Sequence, residues 1–160
     1  MFDLTGKFAL VTGATGGIGG AIAAALHAQG ATVGLSGTRE AVLQEVAAKL
    51  GSRVHVLPCN LGDADAVNGL IGQAEAAMGQ VDILVNNAGI TRDQLIMMMP
   101  EEDWDTVITT NLKSAFNCSK AAVKTMMRQR SGRIINISSV SGVMGNGGQT
   151  NYSASKAGLI

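Results

Sequence analysis

Aromatic residues occupy only 3% of the 160 positions, and proline and cysteine occur twice each. A core with so few rings has to be built from Val, Ile, Leu and Ala. The cysteines, Cys59 and Cys118, are far apart with no paired ligand spacing around them, so reduced core residues are expected and zinc is not. No apolar run reaches the ~18 residues that cross a bilayer. The segment Met1-Phe-Asp-Leu-Thr-Gly-Lys7 has an acid at position 3 and no apolar core, unlike a signal peptide. A soluble, reducing, cytoplasmic setting is therefore expected, with no membrane partner. Neither sign of charge prevails, since 12 Lys plus Arg balance 12 Asp plus Glu. The only basic cluster is Arg128, Arg130 and Arg133, and the charge footprint of a nucleic-acid binder is missing.

Glycine and aliphatic residues are abundant, with 21 glycines that follow no period of three. Short β-rich runs alternate with longer runs of helical period, the sequence form of repeated βαβ units. Strands are expected at Phe8 to Thr12, Thr32 to Ser36, Val54 to Cys59, Val81 to Asn86 and Arg133 to Ser138. Helices are expected near Gly17 to Gln29, Glu40 to Leu50, Ala64 to Met78, Glu101 to Thr109 and Leu112 to Arg130. Gly30, Gly51 and Gly79 stand where helices end, and Asp63 and Asp65 where one begins. Met97 to Met99 read as an apolar cover or a subunit contact, and Trp104 and Phe116 as core or interface anchors. With no repeat, linker or low-complexity segment, residues 1–160 form one domain. The fold class is α/β, a doubly wound parallel sheet in three α/β/α layers.

Two segments carry chemistry. After the first strand comes Thr12-Gly13-Ala-Thr15-Gly16-Gly17-Ile18-Gly19-Gly20, where bare backbone and a helix start favour a pyrophosphate. At the end of the second strand, Ser36-Gly37-Thr38-Arg39 has no carboxylate before Glu40, so a 2′-phosphate is better served than a ribose hydroxyl, and NADP(H) is favoured over NAD(H). Ser139 follows an apolar run, and Tyr152-Ser-Ala-Ser-Lys156 lies thirteen residues on. On a helix Lys156 falls one turn after Tyr152, close enough for an ammonium to favour a phenolate, while Ser139 could hold a carbonyl oxygen. Taken alone, Tyr-x-x-x-Lys is more often a solvated helix face.

In combination, Thr12-Gly-x-x-x-Gly-x-Gly19, Asn86-Asn-Ala-Gly89, Asn111, Ser139 and Tyr152-x-x-x-Lys156 resemble the short-chain dehydrogenase/reductase family, in that order and near its spacings. Within it, Asn86 to Asp93, Gly132 to Ser139 and Met144 to Gln149 are similar to the 3-oxoacyl-acyl-carrier-protein reductases, with acetoacetyl-CoA reductases as the alternative. The resemblance implies a Rossmann-type fold and NADPH-dependent reduction of a 3-oxoacyl thioester in fatty acid synthesis. Acyl carrier protein and further copies of the chain, in a tetramer, are the implied partners. It implies that Tyr152 donates the proton, Lys156 assists it and binds the nicotinamide ribose, Ser139 holds the carbonyl and Asn111 anchors a water. The resemblance and the glycine loop together lead us to expect cofactor contacts at Gly13, Thr15, Gly17, Ile18, Gly19, Thr38, Arg39, Asn60, Asn87, Ala88, Gly89, Tyr152 and Lys156. Asn86 belongs to the same lining, and the basic group around Arg130 is available to an acidic carrier. Two departures stand out. Gly16 replaces the basic residue that many NADP-using relatives carry in the glycine loop. Family members also continue for about half this length again, so the domain is expected to be incomplete at its C-terminus. A dinucleotide-binding chain without turnover is the expectation of a different class.

Overall fold

The computed structural model describes residues 2–160. Strand β1 (Phe8–Val11) leads to helix α1 (Gly17–Ala28), then β2 (Thr32–Gly37), α2 (Glu40–Leu50), β3 (Val54–Pro58), α3 (Ala64–Met78) and β4 (Ile83–Asn86). Helices α4 (Glu101–Ile108) and α5 (Ser114–Gln129) follow, then β5 (Arg133–Asn136), α6 (Val140–Met144) and α7 (Thr150–Ala157). The strands form one parallel sheet in the order β3-β2-β1-β4-β5.

Alternation along the strands sends neighbouring side chains to opposite faces. Leu10 and Leu84 join a core with Val67, Leu70 and Ile71 of α3 and Cys118, Ala122 and Met126 of α5. Ala9, Val11, Ile83 and Val85 join the other, with Ala23 of α1 and Leu43 of α2. These two cores, one on each face, make the expected three-layer, doubly wound Rossmann arrangement. The order reverses at β1, whose neighbours are β2 and β4, and a crevice opens there beyond the strands' carboxyl ends.

Several boundaries move. β4 begins at Ile83 rather than Val81; Asp82 still bonds both neighbouring strands, its N–H donating to Phe8 O at 2.8 Å and its carbonyl accepting Arg133 N at 2.8 Å, while its carboxylate accepts the Phe8 N–H at 3.0 Å and the Gln80 amide at 3.0 Å. β5 ends at Asn136 rather than Ser138, and Ser139 then caps α6, a short helix absent from the sequence reading. The gap expected between the helices near residue 110 is filled by a π-helical turn, Thr109–Lys113, that joins α4 directly to α5. The Asp63 carboxylate caps α3 through Asp65 N at 2.9 Å and Ala66 N at 3.3 Å. Gly79 closes the same helix at φ 98°. Cys59 and Cys118 are free and buried, as expected, and burial pushes the Cys118 thiol up to about 12.

Phe116 and Trp104 are not core residues. Phe116 is 61% exposed on α5, with Lys120 Nζ 5.9 Å from its ring, and Trp104 lies at the surface. Met97 and Met98 are also exposed, in a 3-10 turn at Ile96–Met98.

Candidate active site

A cleft of about 1000 Å³ lies over the carboxyl ends of β1 and β4. Its shape begins with glycine packing. Gly13 has φ +66°, and a Cβ there would stand 2.7 Å from Ala88 Cα. A Cβ on Gly19 would meet the Gly13 carbonyl and come within 2.6 Å of Asn87 Nδ2. Gly17 is different, because a Cβ there would meet nothing within 4 Å. Two glycines therefore let the loop fold against the segment after β4, and the third leaves backbone bare on the cleft side.

The segment after β4 reciprocates. Asn87 Nδ2 donates to Thr12 O at 2.9 Å and Gly13 O at 3.3 Å. Thr12 Oγ1 accepts from Asn87 N and Ala88 N, both at 3.1 Å, and donates to Val85 O at 3.2 Å. No side chain caps α1, and its first backbone bond is Gly20 N to Gly16 O, so the first turn presents N–H groups to the cleft. Arg39 turns back toward this loop, its Nη2 donating to Thr15 O at 2.9 Å. Asn60, just beyond β3, lines the same cleft with Oδ1 accepting Gly62 N at 3.0 Å.

At the other end, α7 carries Tyr152 and Lys156. Lys156 Nζ lies 5.8 Å from the Tyr152 ring centroid, so the pair shares a face as the spacing requires. This is no solvated helix face, since Lys156 is only 3% exposed. Its ammonium donates to Ile137 O at 2.7 Å, and burial lowers its pKa from 10.5. Gly89 leaves the room for that ammonium: a Cβ there would lie 3.4 Å from Nζ and 3.5 Å from Asn111 Oδ1.

The cleft is lined by Gly13, Thr15, Gly17, Ile18, Gly19, Thr38, Arg39, Asn60, Asn87, Ala88, Gly89, Tyr152 and Lys156 together. Three residues named from sequence stand elsewhere. Asn86 is buried below, its amide donating to Ser119 Oγ at 3.1 Å and Asn136 Oδ1 at 2.9 Å. Asn111, in the π-helical turn, donates to Ile90 O at 2.9 Å and Ser155 Oγ at 3.1 Å and accepts Ile90 N at 2.8 Å. With both of its N–H donors used, it pegs the loop at Ile90, and only spare acceptor capacity remains for a water. Ser139 heads α6, its Oγ accepting Ser141 N at 3.2 Å, while Ile137 and Ser138 line the cleft.

Arg92, Thr106 and Thr110 also line the cleft and were not anticipated. Arg92 sits in the Asn-Ala-Gly-Ile-Thr-Arg run but outside any phosphate motif, so only its place in the fold identifies it. With it the lining holds Arg39, Arg92 and Lys156 and no Asp or Glu, which suits an anionic ligand. The bare first turn of α1, the open space at Gly17 and these spaced cations, of which Arg92 also pairs with Asp103 at 3.9 Å, fit a dinucleotide. Among the described residues no three His, Cys, Asp or Glu side chains gather as a metal site. No helix there is long and apolar enough to cross a membrane.

Comparison with known proteins agrees with this geometry. The family model described as short chain dehydrogenase matches residues 7–160. Nodulation protein G of Rhizobium sp. (strain N33) is 59% identical over 160 residues, covering 100% of this chain and 65% of that protein. The 3-oxoacyl-acyl-carrier-protein reductase of Escherichia coli (strain K12) is 52% identical over 158 residues, covering 99% of this chain and 65% of that one. A crystal structure from Sinorhizobium meliloti 1021, described as a short-chain alcohol dehydrogenase, superposes with a TM-score of 0.94 at 40% identity. That match covers 99% of this chain and 64% of the other. The chain thus spans about 65% of the length of the curated relatives it matches.

Proposed function

The chain belongs to the short-chain dehydrogenase family, and on that premise we propose that it reduces the ketone of a 3-oxoacyl thioester, borne by acyl carrier protein, to the 3-hydroxyacyl thioester with NADPH. The observation that carries this reading is that one cleft is lined by the glycine loop, Arg39, Tyr152 and Lys156 together. A nicotinamide bound there supplies the hydride. Gly17, Ile18 and the first turn of α1 hold the pyrophosphate, and Asn60 meets the adenine. Arg39, anchored on Thr15 O beside the glycine loop, would offer its guanidinium to a 2′-phosphate, and that charge supports NADPH over NADH.

The Tyr152 hydroxyl donates a proton to the ketone oxygen as the carbonyl carbon gains hydride, so the C=O becomes CH–OH and charge balances. Lys156, held at Ile137 O, brings a cation to the phenol and to the nicotinamide ribose. Ser139, at the head of α6 just outside the lining, has a hydroxyl proton still to offer the carbonyl oxygen while its Oγ accepts Ser141 N, and Asn111 fixes the Ile90 loop beside the tyrosine. The thioester and its carrier rest on the 52%-identical reductase, and the basic group Arg128, Arg130 and Arg133 supports an acidic carrier. Exposed Phe116, Val123 and Met127 along α5 support self-association, and a cytoplasmic setting accompanies this role.

The test is oxidation of NADPH by the intact protein with acetoacetyl thioesters of acyl carrier protein and of coenzyme A. The account expects kcat/KM to be at least about tenfold higher with the carrier-protein thioester. Equal rates would favour the acetoacetyl-CoA reading. Binding of NADPH without turnover of either would favour a dinucleotide-binding species.

A further inference from the structure

The chain passes the catalytic end of the cleft twice, once in the loop between β4 and α4 and once on the way into α7. Residues of the two passes pair with opposite sense. Arg92 O accepts from Asn151 Nδ2 at 2.9 Å, Asp93 Oδ2 from Gln149 Nε2 at 3.0 Å, and Gln94 N donates to Gly148 O at 2.8 Å. The Asp93 rung is exposed, whereas the Asn151 side chain is 0% exposed.

Asn151 uses its whole side-chain amide. Besides Arg92 O it donates to Asp103 O at 3.3 Å, in the first turn of α4, and its Oδ1 accepts the Tyr152 N–H at 2.7 Å. A buried amide is costly unless satisfied, and a leucine of the same branched shape would leave Arg92 O, Asp103 O and the Tyr152 N–H without this partner. Nor could leucine fix direction. The amide ties the loop, α4 and the backbone of Tyr152 into one arrangement, in which Arg92 and Tyr152 line the same cleft.

We propose that Asn151 is a positioning residue for Tyr152, setting the phenol against the Gly89–Arg92 wall of the cleft without touching a reactant. This rests on the reading of Tyr152 as proton donor. A displacement of about 1 Å at such a group costs up to ~10²-fold in rate, and the Tyr152–Lys156 pair would move together because both ride on α7.

The test compares wild type with Asn151→Asp, Asn151→Ala and Tyr152→Phe in the intact protein, each rate expressed per NADPH site titrated by nicotinamide fluorescence. Asn151→Asp keeps the shape but turns an acceptor toward two carbonyls. The expected result is a kcat about 20-fold or more below wild type, with NADPH affinity within about twofold and KM for the thioester little changed. Asn151→Ala is expected to lose about 5- to 10-fold, and it decides on the same criterion if the aspartate variant yields no NADPH sites. A purely structural asparagine would reduce the number of sites and leave kcat per site untouched. That outcome in either variant overturns the proposal. If Tyr152→Phe is inactive while the Asn151 variants run at the wild-type rate, only the positioning role fails. If Tyr152→Phe keeps full activity, the proton-donor reading fails and the positioning role with it.

Discussion

The two ends of the cleft are held by different means. At the glycine end, backbone packs on backbone, with only the Thr12 hydroxyl and the Asn87 amide stitching the two segments: Gly13 lies against Ala88, Gly19 leaves room for the Gly13 carbonyl, and β1 and β4 beneath are buried apart from Phe8. At the tyrosine end, side-chain amides and hydroxyls do the tying, through Asn111, Gln149, Asn151 and Ser155, and β5 beneath is mostly exposed. Backbone packing tolerates no added atom but needs no partner's exact reach. Polar tying tolerates changes of volume but fails when a donor becomes an acceptor. The first end is suited to a large invariant ligand portion, and the second to a group that must stand at a fixed angle for proton transfer.

The sharpest way to break this contrast is Gly19→Ala. The added Cβ would collide with Gly13 O, and it should cost about 3 kcal/mol of stability and abolish measurable NADPH binding. Urea unfolding and fluorescence titration would show it. Gly17→Ala should separate the two effects. Its Cβ meets no protein atom within 4 Å, so stability should hold or rise by up to about 1 kcal/mol, while NADPH should bind roughly tenfold more weakly if the pyrophosphate lies on the bare backbone that Gly17 adds to the cleft lining. Arg39→Ala should weaken NADPH by about fivefold, roughly 1 kcal/mol for an exposed cation, and leave NADH unchanged. Equal weakening of both dinucleotides would remove Arg39 from the 2′-phosphate.

The smallest effect concerns Lys156 and pH. Burial lowers its pKa from 10.5, so between the depressed value and 10.5 the unfolded chain holds a proton that the folded chain has shed. Wild-type stability should therefore rise with pH across that window, and the charge penalty is greatest below it. Lys156→Met has nothing to titrate, so the difference between the two proteins in urea midpoint should change in wild type's favour as pH rises. A constant difference would contradict the burial of that ammonium.

The same contrast explains what the chain discloses. Glycines at 13, 17 and 19 announce a loop by their spacing, although the residues that crowd Gly13 and Gly19 from the far segment, Asn87 and Ala88, cannot be read locally, and the helix ends at Gly30, Gly51 and Gly79 follow from the positive φ that glycine allows. Strand positions were readable within a residue or two because alternation and apolar runs are local signals. Tyr152 and Lys156 were readable because one helical turn sets their relation. Asn151 and Gln149 were not, because their partners are 59 and 56 residues away and depend on the completed sheet. Asn86 and Asn111 were visible as residues of the motif, yet their partners place them beneath and beside the cleft rather than in its lining. The π-helical turn that presents Asn111 has no propensity signal of its own, and of the two readings of Phe116 and Trp104, core or interface anchors, their exposure removes the core one.

The central claim is that one cleft joins a dinucleotide site to a tyrosine proton donor. Its most direct test measures NADPH binding and NADPH oxidation with a 3-oxoacyl thioester on the same samples of wild type and Tyr152→Phe. The account predicts equal NADPH affinity and a rate lower by about 10²- to 10⁴-fold in the variant. Undiminished oxidation by Tyr152→Phe, with NADPH bound as in wild type, would contradict it.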